Sequence, residues 1–218
     1  MANARQFMAA RTSAWSGKAL PYDAEVEYLE TTGEQWINTG VMPDYTLTAT
    51  FDVEVLPTTN IIRFSGSRVG EERSFMFSIS QTAGVINDYG SGDKGNRIQV
   101  SHFRPSYHIG RLSLEFGNRY IKDLSTGQDI SRGITVGPTS AGLPTRPMLL
   151  WALQDRSNVI TGSVGRIFAA NYSLDNAIVR DFIPVRIGTV GYLYDRVGVK
   201  LFGNSGTGDF IIGPDKTT

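Results

Sequence analysis

The run from Thr46 to Val55 places Leu47, Ala49, Phe51, Val53 and Val55 at every second position, with threonines and acids between them. Side chains of a strand alternate between its two faces, so this spacing produces one apolar face and one wet face; a helix would need apolar residues every three to four positions. The chain is thereby committed to half-buried antiparallel strands. The same period recurs in Ser74–Ser80, where Phe75, Phe77 and Ile79 share a side, and in Arg111–Phe116, where Leu112, Leu114 and Phe116 do.

Turn-forming clusters separate these runs at Thr31–Glu34, Asn87–Asn96, Phe116–Arg119, Gly137–Pro144 and Asp155–Asn158. Strands spaced so closely leave no room for crossover helices. The expected fold class is therefore all-β, an antiparallel two-sheet β-sandwich whose inner faces form one core. A chain of 218 residues with 40% hydrophobic and 19% charged side chains is large enough for such a core in a single unit. No fixed-period repeat and no low-complexity tract interrupts it.

The exception is the first segment. Residues 1–21 are small, polar and basic, and alternation begins at Tyr22. The first 22 residues carry Arg5, Arg11 and Lys18 and no acid, which leaves the remainder slightly acidic. Two parts are expected: an extended or partly helical anchoring arm over residues 1–21 and a sandwich over residues 22–218. In the arm Arg5, Phe7, Arg11, Trp15 and Lys18 are the candidate anchors, because a tryptophan seated in a partner's groove is a typical hot spot. The competing reading is that Trp15 folds back onto its own sandwich.

Other chemistries are poorly served. With no cysteine there is no disulfide, thiolate or Cys-ligated zinc. Equal numbers of basic and acidic residues, 21 each, give the whole chain no field that would draw nucleic acid, and no apolar run is long enough to insert in a membrane. The histidines, His102 and His108, are two ligands at most and read as polar loop residues. No nucleotide cofactor is expected at Gly203–Gly208, since a phosphate-cradling glycine loop precedes a helix and here a second β-like run, Asp209–Ile212, follows. The glycines read as a reversal between strands.

The combination Gly165-Arg166-Ile167-Phe168, Val179-Arg180-Asp181-Phe182-Ile183-Pro184, Gly191-Tyr192-Leu193-Tyr194-Asp195, Phe202-Gly203-Asn204 and Gly206-Thr207-Gly208-Asp209-Phe210 resembles the concanavalin A-like, laminin-G-like jelly-roll domains. Glu27–Gly40 looks like that superfamily's first hairpin, and Met148–Ala152 like its strand before the Gly165 motif. Such domains occur in phage and prophage structural proteins and in surface proteins of gut bacteria. The resemblance covers roughly residues 22–214 and implies that the first and last strands, Glu27–Ile37 and Phe210–Pro214, lie side by side.

Some members of that superfamily are retaining glycosidases with two carboxylates on one strand. Glu25-Val26-Glu27-Tyr28-Leu29-Glu30 is similar to their pattern, yet a Glu replaces the central Asp and strand parity turns Glu30 away from Glu25 and Glu27. No enzyme is expected. Asp181, beside Arg180, reads as a charged strand residue facing water. For sugar binding the best loop is Asn87–Arg97, where Asp88, Tyr89, Asp93 and Asn96 combine carboxylates, an amide and an aromatic; an ordinary hairpin tip has the same composition. No resident metal is expected, and Asp88 with Asp93, or Asp155, gives calcium only thin support.

These readings lead to a non-enzymatic virion-associated protein of a phage or prophage, in capsid or tail. Its arm would hold other virion or assembly proteins, and its body would be displayed outward, bacterial surface glycans and a homo-oligomeric state being the expected partners. The alternative is a carbohydrate-binding module of a bacterial surface or secreted protein.

Overall fold

Burial follows the alternation: Leu47, Ala49, Phe51, Val53 and Val55 are each no more than 1% exposed, and the residues between them are half-buried. The computed structural model describes residues 20–56, 61–70, 73–80, 83–90, 97–101, 110–132 and 142–217. Of the arm, only Leu20 and Pro21 fall among them, so Arg5, Phe7, Arg11, Trp15 and Lys18 lie outside the described residues.

Nineteen strands and no helix occur among the described residues. In chain order they are β1 (Ala24–Glu25), β2 (Leu29–Thr32), β3 (Ile37–Asn38), β4 (Thr48–Val55), β5 (Ile61–Arg68), β6 (Ser74–Ser80) and β7 (Gly84–Tyr89). Then come β8 (Arg97–Val100), β9 (Gly110–Gly117), β10 (Tyr120–Asp123), β11 (Gln128–Asp129), β12 (Leu149–Leu150), β13 (Leu153–Asp155) and β14 (Asn158–Ile160). The last are β15 (Val164–Leu174), β16 (Ala177–Ile187), β17 (Val190–Asp195), β18 (Lys200–Phe202) and β19 (Ile211–Ile212).

They form two sheets. The first runs β11-β10-β9-β4-β15-β16-β17-β18, with β2 beside β15, β19 beside β2 and β1 beside β16. The second runs β14-β13-β5-β6-β7-β8, and β12 links β5 to β3. Pairing is antiparallel apart from β13 with β5. This is an all-β sandwich, as the alternation requires.

Aromatic rings weld the sheets. Phe51 of β4 has the rings of Phe116 and Tyr172 beside it in its own sheet, at 5.9 and 5.8 Å, and those of Phe64 and Phe77 from the facing sheet at 5.9 and 6.0 Å. Trp151 closes on Phe64 from the end of β12. One departure from simple alternation is that β6 and β7 are buried along their whole length. Their second face is not a wet one: Met76, Ile86 and Leu153 pack there as a separate small cluster.

The ends of the sandwich meet. Ile211 and Ile212 pair with Glu30 and Leu29, Glu27 N–H donates to the Pro214 carbonyl at 2.8 Å, and Gly213 N–H donates to that of Tyr28 at 2.9 Å. The Gly203–Gly208 segment reverses the chain between β18 and β19, with no helix after it. It is clasped to the first hairpin, since Trp36 N–H and Gly206 N–H both donate to Asn204 Oδ1, at 3.0 and 2.8 Å. A β-carbon at position 206 would overlap the Glu34 carbonyl oxygen, so only glycine permits this approach.

Burial of phenols makes the fold sensitive to alkali. Tyr22 is pushed up to about 12 by burial and by the Glu25 carboxylate, Tyr120 likewise by burial and Glu115, and burial also raises Tyr89 and Tyr172. An unfolded phenol ionises near pH ~10, so the stabilisation is complete below that and is lost as pH rises through the folded values. Urea midpoints are expected to fall from pH ~10 toward ~12, and less steeply in the Tyr22→Phe, Tyr120→Phe double variant. An identical slope in that variant would exclude these two phenols as the cause.

Candidate functional site

β17 ends at Asp195 and β18 begins at Lys200, and there the positions on the face of the core residue Phe182 are polar. Arg180 follows the register that puts Phe182 in the core, Asp195 stands opposite Phe182, Lys200 opposite Asp195, and Phe202 opposite Leu193. The facing wall comes from the second sheet and its exit, Asn38 and Gly40. Between them lies an open groove of about 590 Å³, lined also by Phe202, Gly203 and Ser205.

A tight hairpin builds the cationic side. Asp195 is wholly buried, and its carboxylate accepts from the backbone N–H of Asp181 at 2.9 Å and of Val197 and Gly198 at 3.1 Å each. That three-amide grip is what an Asp at the head of a short turn provides. A β-carbon on residue 198 would sit 2.6 Å from Asp195 Oδ2, so glycine is needed there. Val199 then takes a left-handed φ of 52°, uncommon for a β-branched residue and a local strain of about 1–3 kcal/mol. The turn delivers Lys200 to the groove edge.

Arg180 is held from the other side. Its Nε donates to the Thr39 carbonyl at 3.0 Å and its Nη1 to its neighbour Val179 at 2.7 Å, with Asp195 Oδ2 at 3.6 Å from Nε. Phe202 is half-buried against Phe182, edge to face at 5.1 Å, and lies within reach of both cations, Arg180 at 5.6 Å and Lys200 at 5.3 Å from the ring centre. The arrangement is a partly apolar trough with fixed positive groups on either side. It suits binding of a ring-bearing, acceptor-rich molecule.

The loop chosen from composition is placed differently. Asp88 and Tyr89 belong to β7, not to a loop, and each is 1% exposed. Tyr89 lies 4.8 Å from the Phe75 ring and donates to the Leu47 carbonyl at 2.7 Å, while Asp88 takes both Nε and Nη2 of Arg97, at 2.6 and 3.0 Å. Strand pairing with β6 and β8 extends further than the turn-rich composition suggested, and so these two side chains serve the sheet. Asp93, Asn96, His102 and His108 lie outside the described residues.

Asp181 is a second correction. Expected to face water, it is 7% exposed, because Arg196 from the next hairpin folds over it with two bonds of 2.9 and 3.0 Å. The acidic run of the first hairpin is engaged in surface pairs: Arg166 joins Glu30 at 2.6 Å to Glu54 at 2.9 Å, and Glu25 accepts from Tyr22 at 3.3 Å. Asp155 accepts from Arg68 at 2.8 Å, which holds its carboxyl below the ordinary value. Among the described residues no three acidic or histidine side chains come together as a metal site.

Sequence reasoning passed over Arg180, Lys200 and Asn38 as site residues. The local signal was present: Lys200 and Phe202 are two apart and share a face, after a turn headed by Asp195. No family model, no curated protein and no solved structure matches this chain.

Proposed function

We propose that this protein is a non-enzymatic attachment and display module of a phage or prophage particle. The sandwich is read as a concanavalin A-like jelly roll whose groove holds bacterial surface glycans, and residues 1–21 as the arm that joins it to other virion or assembly proteins. Assembly would take place in the bacterial cytoplasm and the working location would be the virion. The observation that carries the binding half is the groove at Arg180, Lys200 and Phe202, where an aromatic face is flanked by hydrogen-bond donors on rigid strands. The particle half is supported by the sequence resemblance and by the basic, acid-free arm. Display of many copies, as in a homo-oligomer, would raise weak groove affinity through avidity.

Deleting residues 1–20 is expected to leave the melting temperature unchanged and to abolish recovery of the protein in purified particles. Reduced melting stability with normal incorporation would show instead that the arm packs on its own sandwich. Recovery of the intact protein from the cell envelope, and not from particles, would transfer the groove to a bacterial surface module.

A further inference from the structure

We infer that the groove takes an acidic saccharide, its anionic group seated between Arg180 and Lys200 and its ring lying on Phe202; this rests on reading the groove as a glycan site. The argument is the balance of donors and acceptors. A neutral sugar hydroxyl both donates and accepts, so a site for neutral rings supplies carboxylates or carbonyls as well as donors. Here the carboxylate and carbonyl acceptors next to the two cations already hold donors. Both oxygens of Asp195 are occupied by backbone amides, Asn38 Oδ1 accepts the Gly40 N–H at 3.0 Å, and the Thr39 and Val179 carbonyls accept from Arg180.

What the groove still presents is donor in kind. Arg180 Nη2 makes no hydrogen bond among the described residues, and Gly40, which carries no side chain, lies beside it. Asn38 adds its amide nitrogen, and Ser205 a hydroxyl that can turn its proton toward an anion. Lys200 is exposed and forms no ion pair among the described residues. Arg196, the other cation of this hairpin, is committed to Asp181. Asp195 offsets one of the two groove charges from 3.6 Å, which leaves the pair with a net positive charge. Two cations with donors to spare are the complement of a carboxylate or sulfate, and charge-assisted bonds are the stronger kind.

The test uses the full chain and titration calorimetry with three probes: oligogalacturonate, its methyl ester, which keeps the rings and removes the charge, and a sulfated oligosaccharide. At least one acidic probe is expected to bind about tenfold more tightly than the ester, with affinity falling as salt is raised. Lys200→Gln, an exposed change that leaves the hairpin contacts in place, is expected to remove about tenfold of that preference while the melting temperature stays fixed. Sulfated-probe binding alone would assign the anionic group as sulfate and support the inference. Equal binding of ester and acid, with Lys200→Gln silent, would overturn the acidic class and leave the glycan reading standing. Silence of all three probes, together with a silent panel of neutral glycans, would overturn both.

Discussion

Phe51→Ala is expected to lower the unfolding free energy by about 4 kcal/mol, the range found when a fully buried aromatic is emptied to a methyl group. The ring is 0% exposed and is the one around which Phe64, Phe77, Phe116 and Tyr172 gather from both sheets. Its loss removes apolar contact from both sheets at once, and the paired backbones around it limit collapse into the space. Phe51→Leu retains most of the volume and should cost about half as much or less. Urea unfolding with an unchanged slope provides the measurement. A shift below 1 kcal/mol for the alanine variant would mean that the two sheets do not close on this ring.

The second large effect is expected at Asp195. Replacing it with alanine strips the acceptor from three backbone amides and leaves Arg180 without its nearest carboxylate, a loss of about 3 kcal/mol for a buried charged acceptor of this kind. Asp195→Asn should fall between, because one oxygen still accepts while the amide nitrogen faces the Gly198 N–H, donor against donor. Loss of the Asp195 grip also releases the strained Val199 turn, so Lys200 should lose its fixed position and the groove its affinity. Denaturation and probe binding measured on the same variants separate the two consequences. An alanine variant of wild-type stability would show that water satisfies the three amides and that the turn stands without them.

The groove and the core differ in how far they could be read from residue order. The faces of β4, β6 and β9 were legible because alternation is local: neighbours along a strand point to opposite sides whatever the rest of the chain does. That Glu27–Ile37 and Phe210–Pro214 lie side by side was implied by the family resemblance alone, and the β2–β19 pairing places those segments together. Asp88 and Tyr89 misled because Asn, Asp, Gly and Ser are turn formers by composition, yet pairing with Phe75 and Met76 on β6 and with Arg97 on β8 keeps them in strand. Asp181 misled for a related reason. A charged residue in an alternating strand reads as solvated until a cation covers it, and Arg196, just past the end of β17, lies directly across from Asp181.

What the residues determined by themselves was the class of architecture: a period of two, frequent turns and a glycine segment that reverses the chain. What only the tertiary structure decided was which polar side chains share a space. Asn38 and Gly40 reach Arg180, Lys200 and Phe202 across the two sheets, from positions far apart in the chain. Strand periodicity is set by each backbone's own geometry, whereas register and sheet stacking are set by long-range packing, and it is the latter that leaves a groove between these residues while rings fill the core around Phe51.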